Sequence, residues 1–523
     1  TGSALVLALA VVGLLVLPAS AQTWVARYDG PAGDEDAARA IAADAEGNVY
    51  VTGASWGDGT GNDYATVKYG PDGAERWVTR YDGPAGGSDE ATAIAVRGDR
   101  VAVTGGSAGP DLSTDILTVV YDLDGNELWT ARYNGPADGN DQALAITIDP
   151  DGNVIVAGYS TGSDILWDMV TVKYDPEGAE QWVARYSTDD EDYAIAVATD
   201  PAGNIYVTGP SGCPYTFAWD YLTIRYSPAG AEQWVARYNG PADEHDEPRG
   251  LAVDAAGNAY VTGGSNRPGT NADFTTIKYS PAGETLWLRR YDGPVNGADW
   301  GNAIALDPAG NIYVTGSSQD AATDVDYATV SYSPDGTQRW VARYDGPSSG
   351  HDEARAITAG ETGVYVTGAS WGDGTRTDYA TIKYGLDGGL YWVARYDGPA
   401  GRFDEAAALT LDGAGGVCVT GSSQGSSTGT DYATVRYPVV GIAEPRPAVL
   451  PAAGGQATVA RGVLYLPARD GDRPVLLDAS GRQLRELLPG ANDLSRLAPG
   501  VYFVRSRLAA PGRPAVSKLI IGR

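Results

Sequence analysis

Short runs of alternating apolar and polar residues recur along almost the whole chain, each bounded by Gly, Pro, Asn or Asp. Such runs are too short for helices and have the period of half-buried strands. One cycle reads Trp287 to Tyr291, Asn302 to Asp307, Ile312 to Gly316 and Asp326 to Tyr332, which predicts four strands. Between the second and third lies Asp307-Pro308-Ala309-Gly310-Asn311, whose Gly and Asn suit the left-handed backbone of a tight hairpin. The fourth leads through Ser333-Pro334-Asp335-Gly336 to the next Trp. Four strands and four turns fit such a cycle, and alternating helices do not.

The leading Trp recurs at Trp24, Trp77, Trp129, Trp182, Trp234, Trp287, Trp340 and Trp392, with gaps of 52 or 53 residues. A fixed period of this length means one supersecondary unit copied eight times. A lone four-stranded sheet exposes two apolar faces, and radial stacking buries both. The predicted fold class is therefore all-β: an eight-bladed β-propeller of four-stranded antiparallel blades, followed by a small β-sandwich-like domain. Small residues such as Ala303-Ile304-Ala305 mark the crowded inner strand, and the Trp runs mark the outermost. The array begins at Trp24 with an outer strand and stops at Tyr437 with a third strand. The first strand is thus expected to complete the last blade and remove an open edge.

Domain boundaries follow from composition. Residues 1–21 read as a signal peptide truncated at its start: Ala4 to Leu17 is aliphatic and Ala19-Ser20-Ala21 has a small-x-small cleavage pattern. That run is short of the roughly 20 residues a spanning helix needs, so no membrane span is expected in the mature chain. The propeller occupies residues 22–437, a Pro/Ala/Gly linker residues 438–455, and a C-terminal β domain residues 456–523.

The segment Asp307 to Gly316, Asp-Pro-Ala-Gly-Asn-Ile-Tyr-Val-Thr-Gly, and its seven cousins resemble the β-propeller repeat family often called SBBP, found in exported bacterial proteins. The resemblance covers residues 24 to 437 and implies the fold but no shared catalytic residues. The family's name assumes seven blades, whereas eight copies are present. At the other end, Leu477-Asp478, Gly481, Leu494, Leu497, Gly500 to Val504 and Lys518 to Ile521 resemble the C-terminal sorting domain of type IX secretion cargo. That resemblance implies an export machinery as partner and a secreted or outer-surface location in a bacterium.

The net charge of −30 hides an asymmetry. Residues 23–440 hold 25 Lys and Arg against 61 Asp and Glu, whereas residues 441–523 hold 12 against 6. A ring this acidic repels nucleic acid and anionic membrane. Cys213 and Cys418 belong to copies four and eight, on opposite sides of a ring of eight, so both are expected as free thiols.

Repetition within the chain sorts the candidate chemistry. Asp36, Asp89, Asp141, Asp190, Asp246, Asp299, Asp352 and Asp404 lie five residues before the centre of each inner strand. They could form a carboxylate ring able to hold Ca²⁺, but acceptors for turn N–H groups are the expected role. A second set, Asp63, Asp115, Asp168, Asp220, Asp273, Asp326, Asp378 and Asp431, opens the third strand of each copy and reads the same way. The eight Trp, and the Arg three residues later, are expected to lock blade to blade. His245 and His351 fall two blades apart without a third His, so solvated loops are expected rather than a metal site. No motif for a catalytic nucleophile, zinc or phosphate is present, and no cofactor beyond Ca²⁺ is expected.

What varies from copy to copy is the loop set after the second and fourth strands, which a four-stranded blade places on one face. These loops carry Trp56, Trp167, Tyr215, Phe217, Trp219, Arg267, Trp300 and Trp371, expected as binding residues for a protein or glycan outside the cell. The leading expectation is a monomeric, non-catalytic binding scaffold. A structural or adhesive surface protein and a propeller enzyme such as a quinoprotein-like dehydrogenase are the alternatives; period, Trp placement and blade count suit the latter, but a quinone-stacking Trp and a vicinal Cys pair are missing from the ring.

Overall fold

The computed structural model describes residues 22–438 apart from 60, 111–112, 164–165, 214–217, 269–270, 321–323, 349, 373, 375 and 427–428, together with seven strands between residues 458 and 521. The regular elements among the described residues are all strands, and no helix is long and apolar enough to cross a membrane. The chain divides into two units, residues 1–442 and 443–523. The signal-like segment and the linker beyond Pro438 lie outside the described residues.

The first unit is an eight-bladed β-propeller. In the first blade Asp36–Ala43, Val49–Gly57, Gly61–Tyr69 and Glu75–Tyr81 pair antiparallel in chain order, and the following copies repeat this. Each inner strand touches the next one around, and Asp404–Leu411 of the eighth blade touches Asp36–Ala43, so the ring closes. The second strand is covered on both faces by neighbouring blades, which is why Val-Tyr-Val-Thr is buried without alternation. Among the described residues the core clusters each join two neighbouring blades. Val49, Val51, Val67 and Tyr69 of the first pack with Cys418 and Tyr432 of the eighth, beside Trp24.

The last blade is completed as expected. Trp24–Tyr28 runs antiparallel to Thr430–Tyr437, with Trp24 opposite Arg436 and Tyr28 opposite Tyr432.

On the face bearing the turns after the first and third strands, the outer-strand Trp docks onto the next blade. Trp24 donates its indole N–H to the Pro71 carbonyl at 3.1 Å, Trp77 to Leu123 at 3.0 Å and Trp340 to Leu386 at 3.1 Å. The ring lies on the Gly of that turn. At Gly73, with φ of 79°, a Cβ would fall 2.5 Å from the Trp24 ring, so both the backbone and the close approach demand glycine. Trp392 breaks the series. The turn it would meet follows the third strand of the eighth blade, where the closing strand comes from the other end of the chain, and its indole nitrogen has no partner among the described residues.

Inside seven blades a Thr of the second strand faces a Thr of the third, as in Thr52 and Thr66 at 2.9 Å. The third blade instead has Ala157 opposite Thr171, whose hydroxyl is left without a partner. Cys418 is a buried free thiol in the eighth blade, and burial raises its pKa. The Cys213 side chain lies outside the described residues.

The strands of the second unit form two antiparallel sheets. One contains Thr458–Ala460, Val463–Leu466 and Gly490–Asp493; the other runs Gln483–Glu486, Val475–Leu477, Gly500–Arg505 and Val516–Ile521 in that order.

Candidate functional site

The loops after the second and fourth strands gather on the opposite face, and the repeated carboxylates begin here. Asp36, Asp89, Asp141, Asp246, Asp299, Asp352 and Asp404 open their inner strands with side chains fully withdrawn from solvent. One carboxylate oxygen accepts a Gly N–H six residues back, Gly30 to Asp36 at 2.6 Å and Gly398 to Asp404 at 2.9 Å. A Ser of the second strand adds its hydroxyl, Ser55 beside Asp36 and Ser370 beside Asp352. The turn-acceptor role is therefore what the geometry displays.

In the fourth blade this place belongs to Asp192, not to the expected Asp190. Asp192 stands opposite Ser211 as Asp36 stands opposite Ser55, and it accepts the Thr188 N–H and hydroxyl, each at 2.8 Å. The loop in this copy is shortened, and Ala194-Ile195-Ala196 imitates the inner-strand signature. The actual register sets Ala196 and Val197 opposite Thr208 and Val207.

The second Asp set meets the Arg of the outer strand. Arg80 binds Asp63 at 2.7 Å, Arg132 binds Asp115 at 2.9 Å and Arg27 binds Asp431 at 2.6 Å. The same guanidinium donates to the Ser of the second strand and reaches the outer-strand Tyr of the preceding blade: Arg80 to Tyr28 at 2.9 Å, Arg343 to Tyr291 at 3.2 Å, Arg395 to Tyr344 at 3.1 Å. The Arg partner is thus a carboxylate and a phenol. Strand-end Tyr and the Ser were missed from the sequence, although Ser55, Ser107, Ser160 and their equivalents recur at gaps of 51 to 54 residues, close to the period of the Trp.

Among the described residues five junctions bring three carboxylates together, with oxygens within 4.8 Å of one another: Asp29, Asp36 and Asp431; Asp63, Asp82 and Asp89; Asp273, Asp292 and Asp299; Asp326, Asp345 and Asp352; Asp378, Asp397 and Asp404. Burial pushes Asp352 up to about 6, opposed by the Ser370 hydroxyl and the Gly346 N–H. Asp220 also rises to about 6 by burial, and Arg237 at 3.8 Å pulls only partly the other way. Oxygen donors suit Ca²⁺. Here, however, turn N–H groups engage the inner-strand carboxylates and guanidinium groups the third-strand ones, as at Asp36 and Asp431, while the third member of each triplet is exposed.

The residues that do not repeat divide into two groups. In blades three and four Trp167 stacks on Tyr159 at 4.4 Å and meets Tyr193 edge-on at 6.2 Å, while Trp219, nearly buried, meets Tyr193 at 5.6 Å. Trp300 lies against Gly264, under the Arg249 guanidinium at 4.3 Å and near His245 at 5.7 Å. Arg267 pairs with Asp273. Tyr215 and Phe217 lie outside the described residues. His245 bonds Glu247 at 3.0 Å, and the carboxylate clusters among the described residues contain no His.

Trp56 and Trp371, in contrast, stand out from the surface at 42% and 38% exposure, with Phe403 at 44%. The two Trp occupy one register position, two blades apart. The backbone N–H of each is held at 3.1 Å by a buried inner-strand carboxylate, Asp36 and Asp352. Phe403, which the sequence did not single out, belongs to the blade between them. Its burial is set by the loops around it and has no local signature.

The fold and this face define a β-propeller of eight blades whose repeated polar groups serve the frame. Comparison with known proteins agrees at that level: the family described as SBBP, beta-propeller repeat, matches residues 233–268 and 290–321. An uncharacterised WD repeat-containing protein of Acanthamoeba polyphaga mimivirus is 23% identical over 54% of this chain, which spans 29% of that relative. Among solved structures, the β-propeller domain of the Trilobed protease from Pyrococcus furiosus is 12% identical, covering 69% of this chain and 98% of that one with a TM-score of 0.40. A puromycin-hydrolysing peptidase of Mycobacterium tuberculosis is 14% identical, covering 73% and 58% with a TM-score of 0.41. Enzymes and a repeat protein both occur among these neighbours, so they assign no chemistry to this chain.

Proposed function

We propose that this chain is an exported or cell-surface protein whose propeller is a non-catalytic binding scaffold, with its ligand taken on the variable-loop face. The observation that carries this reading is the division of labour on that face. The repeated Asp, Ser, Arg and Tyr are engaged with one another, while the exposed Trp56 and Trp371 stand at a register position whose residue changes among copies, as to Thr161 or Gln424. In this reading the carboxylate triplets work without a metal, and chelation leaves folding and binding unchanged. Residues 1–21 act as the export signal and residues 456–523 pack as a β-sandwich that addresses the chain to the outer surface. A structural or adhesive role and a quinoprotein-like activity are the alternatives that a soluble ligand or a turnover assay would separate.

The test is a combined protein and glycan array probed with the intact chain, with Trp56→Ala/Trp371→Ala, and with Leu286→Ala/Tyr391→Ala. The last pair is exposed beside the short turns of the other face. Loss of a saturable signal in the first variant alone is expected. Loss in the second alone would place the ligand on the wrong face and end this reading.

A further inference from the structure

Among the described residues three consecutive blades carry the exposed rings of the loop face. Trp371 ends the second strand of the seventh blade, Phe403 precedes the inner strand of the eighth, and Trp56 lies at the end of the second strand of the first. The arc between them is continuous. Arg376 of the seventh blade extends over the Phe403 ring at 4.6 Å. The Phe403 carbonyl accepts the Gln424 N–H at 3.2 Å, and Gly429 lies so close to Asp34 that a Cβ would fall 2.7 Å from its backbone. The seven Trp docked on the far face cannot contribute here, and the remaining loop-face aromatics described are packed against neighbours.

The chemistry between the rings narrows the ligand. Trp56-Gly57-Asp58-Gly59 and Trp371-Gly372, then Arg376, Gln424 and Gly425, form a rim without Val, Ile, Leu or Met. A protein partner needs a contiguous apolar centre that excludes water. Rings separated by small polar residues do not supply one. A polyanion meets a propeller carrying a net −36 between residues 23 and 440. Flat rings amid amide, guanidinium and carboxylate groups instead match a neutral polyol that has apolar C–H faces and hydroxyls around its edge.

We infer that the arc of Trp371, Phe403 and Trp56 is a binding rim for a neutral oligosaccharide, its sugar rings stacking on the two Trp and its hydroxyls bonding the polar residues between. This rests on the scaffold reading above and deepens it. Because the rim spans three blades, one sugar unit reaches one ring and a longer chain reaches several, so affinity rises with length. The buried Asp36 and Asp352 hold the backbone of the two Trp and so fix the spacing of the platforms.

The experiment uses the full chain and measures calorimetric titration and Trp fluorescence with linear β-1,4-glucan, β-1,3-glucan, β-1,4-xylan and α-mannan hexasaccharides. The matching monosaccharides and a sulfated heparin hexasaccharide are titrated beside them. At least one neutral hexasaccharide binds, its monosaccharide does so at least about tenfold more weakly, and Trp56→Ala and Trp371→Ala each lower hexasaccharide affinity by about tenfold. Trp56→Phe and Trp371→Phe, which keep a ring, retain most of the binding, and unchanged melting of the Ala variants shows that the frame is intact. Failure of all four neutral hexasaccharides to bind, preference for the sulfated one, or binding indifferent to the double Ala variant would overturn the inference. A protein ligand lost in that double variant would overturn the sugar but leave the scaffold reading standing.

Discussion

The two faces of the propeller are built on one repeat and put it to different uses. On the short-turn face the same event recurs: an indole settles on a glycine and donates to the next blade, from Trp24 on Gly73 to Trp340 on Gly388. On the loop face the repeat provides a buried layer of Asp, Ser, Arg and Tyr, and above it the copies differ. Within one chain, identity among copies marks what the ring needs to stand. Difference among copies marks what is free to recognise something else.

The comparison breaks most severely at the seam. Deleting residues 22–28 removes Trp24, Arg27 and Tyr28 together and strips an edge from the eighth blade; a loss of about 5 kcal/mol is expected from the half-buried Trp24 ring, the ion pair and the exposed edge together. Denaturant unfolding followed by Trp fluorescence checks this, and an unchanged midpoint would refute the closure as a source of stability. A milder contrast sets frame against rim. Arg80→Ala takes the guanidinium away from buried Asp63 and is expected to cost about 3 kcal/mol, whereas Arg376→Ala, on the exposed rim, costs less than about 0.5. Equal losses would erase the distinction.

Acidity sharpens it further. Asp352 and Asp220 stand at about 6 in the fold, against about 3.9 in an unfolded chain. Between about pH 4 and 6 the folded state therefore holds protons that the unfolded state has released, and the contribution of these two groups to stability falls as pH rises. Asp220→Asn/Asp352→Asn is expected to flatten that part of the stability profile relative to the parent, measured by melting at half-unit pH steps. A parallel profile would argue against buried protonation. The smallest effect restores a missing copy of the pattern: Ala157→Thr gives the lone Thr171 hydroxyl its usual partner and is expected to stabilise the third blade by about 1 kcal/mol. No gain, or a loss, would mean that this blade is packed too tightly for the repeat's own residue.

The blades, their number and their closure were legible in the sequence because Trp spacing, turn chemistry and the offset of the two ends are all periodic. Period also misled where a copy was shortened: Ala194-Ile195-Ala196 imitated the inner strand and drew Asp190 into a place that Asp192 holds. The rim was half legible. Trp56, Trp167 and Trp371 look alike as letters, but stacking on Tyr159 occupies Trp167, and among the described residues no comparable stacking partner covers the other two. Phe403 had no signal, since its exposure is set by the loops around it rather than by anything adjacent in sequence.

The closing strand also has a history in time. Trp24 is among the first propeller residues to leave a ribosome or an export channel, and its partner Arg436 is among the last. Contacts of such separation form slowly, because the intervening chain must be ordered before they reward its loss of freedom. Blades can assemble one upon another as they emerge, yet the ring cannot become a ring until the eighth arrives. Throughout that interval Trp24–Tyr28 is an unpaired strand with an aromatic at each end, and a natural place for one chain to complete another's last blade by mistake.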